Sequence, residues 1–365
     1  MKKLFCILLA LLIPLTLCSC AAADQRTVIN VYNWGQYMSQ GEDGCIDVIA
    51  EFEKEYPDIR VNYVTFDSNE TMYTKMAGGG ITVDVIIPSD YMVGRLIEEN
   101  MLQELDFNNI PNFDLYVDSN LKNPDYDPEN KYSVPYAWGT VGIIYNAKYV
   151  DEADVTGWEL LWNEKYADKI LMFDNSRDAF CIAQCLLNYD INTDDPQELL
   201  HCAQELAKQR PVVQQYIMDQ VFNLMENEEA WIAPYYAGDY LTMAEENENL
   251  RFYLPKEQGF NRFVDAMCIP TCAKNKEAAE TFINFLCRPD IAGGNMDWIC
   301  YSTPLKKDVV RDYMDPEILD NPVCYPDEEV LKRGDGYDAL PRTTTRLMES
   351  LFMRVRNGIP LDSVD

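Results

Sequence analysis

The sequence has 365 residues, of which 47% are hydrophobic and 12% aromatic, so it can fill the core of two domains or two lobes, and disordered and collagen-like chains are excluded. Asp and Glu number 61 against 30 Lys and Arg, and the formal net charge of −31 argues against nucleic-acid partners because the chain repels phosphate backbones. The single histidine, His201, excludes a His-rich metal centre.

The first residues have the features of a lipoprotein export signal. Two lysines precede an apolar run from Leu4 to Leu15, which at about a dozen residues is too short to span a bilayer. The cysteine Cys20 follows in a segment that resembles a bacterial lipobox. We predict a signal peptide over residues 1–19, a lipidated tether over 20–27, and an extracytoplasmic protein anchored to the membrane through this lipid. The alternative is an ordinary signal peptide that is cleaved nearby without lipidation.

The nine cysteines that remain after Cys20 have two interpretations. The pairs Cys181/Cys185 and Cys268/Cys272 have i, i+4 spacing, which a thiolate metal site could use. We predict instead that these cysteines are small buried hydrophobic side chains, because Cys268 lies in a run with strand-like alternation, a poor setting for paired ligands. Neither a metal nor another cofactor is expected.

The N-terminal part of the chain alternates short apolar runs with amphipathic stretches. The apolar spacing from Cys45 to Tyr56 predicts a helix, and Asp67 with Glu70 has the form of a capping box at the start of another helix. An alternation of strands and helices predicts α/β architecture. The strands predicted here are Val28–Asn33, Arg60–Val64 and Val83–Ile87.

The pattern continues through the rest of the chain. A long extended stretch, Ser133–Asn146, is predicted to cross between the two lobes. Pro234 interrupts the strand Trp231–Tyr236, which predicts that this strand lies at a sheet edge. Further strands are predicted at Lys169–Phe173 and Phe263–Ile269, and further helices at Asp195–Ala207, Gln214–Met225 and Asn275–Leu286.

Four of the predicted strands end in segments that combine aromatic rings with carboxylates or amides. In open α/β sheets, ligands bind beyond the carboxyl ends of strands. Aromatic faces attract an ammonium group, and carboxylates accept hydrogen bonds from it. This chemistry suits an organic cation, although the composition of the segments alone leaves the ligand open. The four segments are Asn33–Tyr37, Ser89–Tyr91, Asp174–Asp178 and Tyr235–Tyr240.

Eight short stretches, distributed in a fixed order along nearly the whole chain, carry a resemblance to a known family. They are Tyr32–Trp34, Ser68–Tyr73, Pro88–Ser89, Val134–Gly139, Pro255–Glu257, Ala273–Glu277, Arg288–Asp290 and Tyr301–Pro304. In this order the chain resembles the spermidine/putrescine-binding proteins, the solute-binding components of polyamine ABC importers. The resemblance implies a monomeric protein that captures polyamines and delivers them to permease subunits, with no enzymatic activity.

The fold that this resemblance implies is α/β, with two lobes of the periplasmic-binding-protein type joined by a hinge. The lobes would close over a ligand in the cleft between them. Lobe 1 would comprise residues 28–137 and 262–305. Lobe 2 would comprise residues 138–261 and 306–365.

The resemblance also implies, position by position, which residues line the cleft. Asp265 would be the central carboxylate for an amine. Asp178 and Asn175 would hold a terminal amine from the second lobe. The remaining lining residues would be Trp34, Gln36, Tyr37, Ser89, Tyr91, Tyr236, Phe263 and Tyr301.

Two departures from the family bear on the choice of ligand. Gln36 and Asn175 are uncharged where the family often has acidic residues, which leaves two carried-over carboxylates. A third ammonium group would then lack an anion, and burial of an unpaired charge is costly. This favours a diamine such as putrescine, or spermidine with one amine near Gln36. Asp90 or Asp239 could restore a third anion, so the choice stays open.

Two other functions are compatible with the residues. The same fold could bind another small solute, such as another amine, an amino acid derivative or an oligosaccharide. A secreted carbohydrate-active enzyme would use a pair of carboxylates. Asp178 and Asp265 have no spacing that marks an acid/base pair, however, and the family resemblance opposes catalysis.

Overall fold

A computed structural model describes residues 25–361, so the predicted lipidation site at Cys20 lies outside the described residues. Within this range the strands are β1 (Thr27–Trp34), β2 (Ile59–Phe66), β3 (Val85–Ile86), β4 (Ser133–Asn146), β5 (Ile170–Phe173), β6 (Val213–Ile217), β7 (Ile232–Tyr236), β8 (Leu250–Tyr253), β9 (Phe260–Cys268) and β10 (Gly334–Asp335).

The helices lie between these strands and after them, as the alternating sequence pattern predicts. They are α1 (Val48–Glu55), α2 (Asn69–Ala77), α3 (Asp90–Glu98), α4 (Pro111–Tyr116), α5 (Ser176–Leu187), α6 (Pro196–Gln209), α7 (Gln220–Glu226), α8 (Ala237–Glu246), α9 (Lys276–Leu286), α10 (Pro289–Ile299), α11 (Lys307–Val310), α12 (Pro316–Leu319), α13 (Glu328–Leu331) and α14 (Arg342–Asn357). No helix within residues 25–361 is both long enough and apolar enough to cross a membrane.

The strands form a mixed sheet in the order β2-β1-β3-β9-β4-β7-β5-β6, with β8 beside β4 and β10 beside β9. The long strand β4 is shared by both halves of this sheet. Its first part, Ser133–Thr140, pairs antiparallel with β9, and its second part pairs with β7 and β8. All fourteen residues of β4 are buried, because it has neighbours on both sides and helices over the sheet.

Two hydrophobic clusters fill the protein. The larger one extends through both halves of the sheet and includes Phe52, Ile143, Phe173 and Phe282. A smaller cluster packs α2 and α3 against the β1–β9 half of the sheet. The members of this smaller cluster include Phe66, Met72, Met92, Leu96 and Ala266.

Three local predictions were wrong. The segment predicted as the helix Gln214–Met225 begins as strand β6, which pairs with β5, and only its second part is helical. Strand β7 is not at an edge: it lies between β4 and β5. Pro234 is tolerated there because β5 pairs with β7 through Ile170 alone, opposite Ile232, so β7 has no ladder partner on the β5 side at the proline. The side chain that caps α2 is Ser68 rather than Asp67.

Candidate ligand-binding site

Asp265 lies on β9 in the middle of the sheet. Its backbone pairs with Ala137 of β4 and bridges to Ser89, which precedes α3. The residue is 5% exposed, and Tyr37 donates a hydrogen bond of 2.7 Å from its hydroxyl to Oδ2. The other oxygen, Oδ1, is buried and has no hydrogen-bond partner within residues 25–361. Burial raises the pKa of this carboxyl group to about 6, although the hydrogen bond from Tyr37 opposes the shift.

Asp178 lies in the first turn of α5. The helix begins at this place because Asn175 Oδ1 accepts hydrogen bonds from the backbone N–H groups of Arg177 and Asp178. Both carboxylate oxygens of Asp178 accept tyrosine hydroxyls, from Tyr236 at 3.0 Å and from Tyr337 at 2.9 Å. Burial raises the pKa of Asp178 to about 6, and these two hydrogen bonds act in the opposite direction.

Asp239 occupies the first turn of α8, directly after β7, as Asp178 does after β5. Its Oδ1 accepts a hydrogen bond of 3.0 Å from the hydroxyl of Tyr301. The pKa of this carboxyl group is raised to about 7, chiefly by burial; the hydrogen bond from Tyr301 opposes the shift and the nearby charge of Asp219 adds to it. A carboxylate in the first turn of a helix also faces the positive end of the helix dipole.

Asp90 is the first residue of α3 and is 3% exposed. Its Oδ1 accepts the backbone N–H of Tyr91 at 2.8 Å, and its Oδ2 faces the N–H groups of Val264 and Tyr337 at 3.4 Å. Burial raises the pKa of Asp90 to about 7, the backbone hydrogen bonds oppose this, and the charge of Asp265 adds to it.

A series of aromatic rings joins these carboxylates. The ring of Tyr37 meets that of Tyr301 edge-on with centroids 5.0 Å apart, and Tyr301 lies 6.1 Å from Phe263. Phe263 in turn meets Tyr236 at 5.5 Å. Edge-to-face contacts of this kind fix the ring orientations. The rings therefore form one wall that runs from Asp265 to Asp178.

Two glycines make space for this wall. A Cβ atom at Gly139 of β4 would lie 2.7 Å from Cζ of Phe263, and a Cβ atom at Gly238 of α8 would overlap the ring of Tyr301. The strand and the helix thus approach the rings more closely than any other residue type would allow.

The structure places the other predicted residues around this core. Trp34 ends β1 and is partly buried, whereas Gln36 is exposed and has a left-handed backbone with φ 50°. The hydroxyl of Tyr91 donates to Glu70 at 3.0 Å, and its ring lies 6.1 Å from that of Tyr337. The side-chain oxygen Oδ1 of Asn175 accepts the hydrogen bonds that cap α5. Asn175 is thus adjacent to Asp178, whose backbone N–H it accepts, whereas Trp34 contacts the ring of Phe66 rather than the aromatic wall.

Sequence reasoning left Asp90 and Asp239 undecided and gave no role to Tyr337. The two aspartates share a recognisable position with Asp178, since each lies in the first turn of a helix that follows a strand of the sheet. Tyr337 has no comparable signal. It meets Asp178 across 159 positions of the sequence, a contact that only the folded chain reveals.

The four carboxyl groups share one electrostatic property. Within residues 25–361, none of Asp90, Asp178, Asp239 and Asp265 forms an ion pair with a lysine or arginine, and the only nearby cation is Arg177, whose charge lowers the pKa of Asp178. Buried carboxylates without a cation are costly, so the site is complementary to a cationic ligand.

The cysteines do not form a metal centre in the described part of the chain. Cys181 and Cys185 are buried on α5 with their Sγ atoms 4.0 Å apart, and Cys268 is buried on β9. Cys272 is exposed, contrary to the prediction, because it lies in the turn after β9. No group of three or more His, Cys, Asp or Glu side chains suited to a metal ion occurs among residues 25–361.

Residues 47–322 match the model of a family described as bacterial extracellular solute-binding proteins. The chain belongs to this family. Membership confirms the predicted α/β fold of the periplasmic-binding-protein type. It also shows that the protein binds a solute and is not an enzyme, which contradicts the carbohydrate-active alternative.

Individual members of this extracellular solute-binding family resemble the chain over nearly its whole length. The spermidine/putrescine-binding periplasmic protein of Escherichia coli (strain K12) is 33% identical over 341 residues, 93% of this chain and 94% of that protein. A putrescine-binding periplasmic protein of Pseudomonas aeruginosa is 31% identical, covering 98% of this chain and 100% of that one. A crystal structure of a spermidine/putrescine ABC transporter substrate-binding protein from Streptococcus pneumoniae, in complex with calcium and HEPES, is 34% identical with a TM-score of 0.78, covering 92% and 100%.

Proposed function

We propose that this protein captures a polyamine, putrescine or spermidine, in the site around Asp265 and delivers it to the permease of an ABC importer. The observation that carries the proposal is the buried, unpartnered Oδ1 of Asp265. A buried acceptor without a partner costs free energy that a bound donor recovers. A protonated amine supplies three N–H donors and the missing positive charge.

The aromatic wall supports a ligand with ammonium ends and an alkyl body. Rings attract ammonium groups over their faces and also cover CH₂ groups. Sugar hydroxyls can donate hydrogen bonds to carboxylates but bring no positive charge, and a zwitterionic amino acid brings a carboxylate of its own. Neither compensates the negative charge of four acidic side chains as a diamine does. The relatives named for spermidine or putrescine support the same class of ligand.

The number of carboxylates bears on the length of the polyamine. The preference for a diamine depended on two carboxylates, Asp178 and Asp265. Asp239 and Asp90 lie beside the same rings and carboxylates, and within residues 25–361 Asp239 accepts a side-chain hydrogen bond at Oδ1 alone, from Tyr301. We therefore propose that both putrescine and spermidine bind, with a second ammonium group near Asp239.

Closure of two lobes is part of the proposed mechanism. Lobe 1 is proposed as residues 28–137 with 262–305, and lobe 2 as 138–261 with 306–365. Strand β4 changes partners from β9 to β7 and β8 close to the first boundary, which supports a hinge there. In this arrangement Asp265 belongs to lobe 1 and Asp178 to lobe 2, so one ligand would draw the two lobes together.

The location proposed for the protein is outside the cytoplasmic membrane. Its lipobox-like segment supports lipidation at Cys20, which would keep the monomer beside its permease. Mass spectrometry of the protein purified from membranes tests this directly. A diacylated Cys20 is expected, and a mature chain that begins at another residue without lipid would reject the anchor.

Thermal unfolding with a panel of solutes tests the proposed ligand. Putrescine and spermidine are expected to raise the melting temperature by several degrees at millimolar concentration, because a ligand that binds only the folded state stabilises it. Amino acids and oligosaccharides in the same panel represent the alternative solutes. Stabilisation by one of those and not by any polyamine would reject the proposal.

A further inference from the structure

Residues 334–342, here called the latch segment, run from β10 to the first residue of α14. Strand β10 pairs with the beginning of β9, at Phe260 and Asn261. Helix α14 packs against α5 and α6 of the proposed lobe 2. The segment between them nevertheless contacts both proposed lobes. Tyr337 belongs to the proposed polyamine site through Asp178 and Asp90, but the contacts of Ala339 and Arg342 lie outside that site.

Hydrogen bonds fasten the latch segment to lobe 2. Asn192 donates from Nδ2 to the carbonyl of Gly336 at 3.0 Å and accepts the N–H of Asp338 at 2.9 Å. Arg177 donates to the carbonyl of Asp338, and its guanidinium lies 4.5 Å from the ring centre of Tyr337. The latch segment is therefore expected to move with lobe 2.

On the side of lobe 1, the latch segment follows α3. The N–H of Tyr337 faces Oδ2 of Asp90 at the start of this helix, at 3.4 Å. One turn later a Cβ atom at Gly94 would lie 3.2 Å from Cβ of Ala339. Residues four apart lie on one face of a helix, and the glycine lets the latch segment approach that face closely.

The last contact is polar and lies just beyond the end of α3. Arg342 pairs with Glu99 at 3.3 Å and donates to the hydroxyl of Tyr73 at 2.9 Å. Glu99 is already held by Tyr73 at 2.6 Å and by Arg95 at 3.1 Å. A fixed acceptor is thus in place on lobe 1, and the arginine of lobe 2 reaches it.

We propose that the latch segment stabilises the closed form of the protein by docking along α3, from Asp90 to Glu99. The proposal rests on the two-lobe function proposed above. Contacts made only in the closed form raise the affinity for any ligand that requires closure, without touching it. Arg342 is therefore a positioning residue: it stabilises the closed arrangement of the lobes and does not contact the ligand.

A disulfide between Gly94→Cys and Ala339→Cys tests the docking geometry. The 3.2 Å between the two Cβ positions is close to the roughly 3.5–4.5 Å that a disulfide needs. The exposed Cys272 is replaced by serine to avoid side reactions. Putrescine is expected to accelerate bridge formation at least threefold, and the bridged protein should release putrescine at least tenfold more slowly until dithiothreitol is added. Equal bridging rates with and without putrescine would reject the latch.

The variant Arg342→Gln tests the polar contact at an exposed residue, so the hydrophobic core stays unchanged. Its affinity for putrescine should fall two- to fivefold at low salt, the size expected for an exposed ion pair, and this difference should vanish at high salt. Arg311→Gln is the matched control, because Arg311 pairs with Asp320 inside lobe 2. If Arg342→Gln binds as tightly as Arg311→Gln, the latch is rejected. If no polyamine stabilises the wild-type chain, the proposed ligand is rejected instead.

Discussion

Tyrosine hydroxyls, rather than cations, hold the carboxylates of the site in place. The hydroxyl of Tyr37 donates a hydrogen bond to Asp265, and that of Tyr301 donates one to Asp239. A neutral donor orients a carboxylate without cancelling its charge, so the negative charge stays available to a ligand. A lysine or arginine in the same position would fix the geometry equally well and would repel an ammonium group.

The substitution Asp265→Asn tests this view at a single residue. It keeps the shape of the side chain and removes its charge, so the affinity for putrescine should fall by about 2–5 kcal/mol, the usual cost of removing one partner of a buried charge pair. Titration calorimetry measures the change. The control Asp320→Asn removes an exposed carboxylate and should leave the affinity unchanged. An unchanged affinity in Asp265→Asn would show that Asp265 is not in the site.

At the residue scale, the sequence points to some of the residues that the fold brings together and leaves others unassigned. Asp178 and Asp265 were expected in the site because the family resemblance, taken position by position, implies them. Asp239 was left undecided and Tyr337 was given no role, because each contacts a partner that is distant in the sequence. Tyr301 lies 62 positions from Asp239, and nothing in either local sequence encodes that pairing.

At the scale of elements, the site depends on how closely strands and helices approach the aromatic rings. Helix α8 begins with Ala237 and Gly238, directly after β7, and brings Asp239 to Tyr301. A Cβ atom at Gly238 would overlap the Tyr301 ring. The glycine is therefore required for space rather than for backbone conformation.

The substitution Gly238→Ala is accordingly expected to weaken binding through a displaced ring. Alanine is favoured over glycine in a helix by about 1 kcal/mol, so the helix itself should not be destabilised. The affinity for putrescine should fall at least tenfold by calorimetry. Gly259→Ala is the control, because a Cβ atom there has no neighbour closer than 3.5 Å. Equal affinities of the two variants would contradict the role of the close approach.

Elements were predictable where local pattern and tertiary environment agree. Strand β4 has the predicted bounds, Ser133–Asn146, because a long apolar run is stable only when neighbours cover it on both sides. Strand β6 was predicted as helix because its spacing fits both periods. The segment became a strand because β5 has an edge with unpaired backbone groups, and β6 pairs with that edge. The local sequence pattern carries no information about this neighbouring strand.

At the scale of the whole molecule, the three buried carboxyl groups and the half-buried Asp239 link binding to pH. The pKa of Asp178 and of Asp265 is raised to about 6, and that of Asp90 and of Asp239 to about 7, chiefly by burial. The folded protein therefore binds protons more tightly than the unfolded chain. The contribution of these groups to ligand-free stability is greatest below about pH 4 and is lost as the pH rises to about 7.

Binding should have the opposite dependence on pH. A polyamine keeps its charge across this range, since amines of the lysine type have a pKa of about 10.4. Only ionised carboxylates attract it, so the affinity for putrescine should rise at least tenfold between about pH 5 and pH 7.5 and then level off. Calorimetry across this range measures the rise, and buffers of different ionisation enthalpy count the protons released. Asp265→Asn should release fewer protons than the wild type. An affinity that is constant from pH 5 to pH 7.5 would mean that the ligand does not meet these carboxylates.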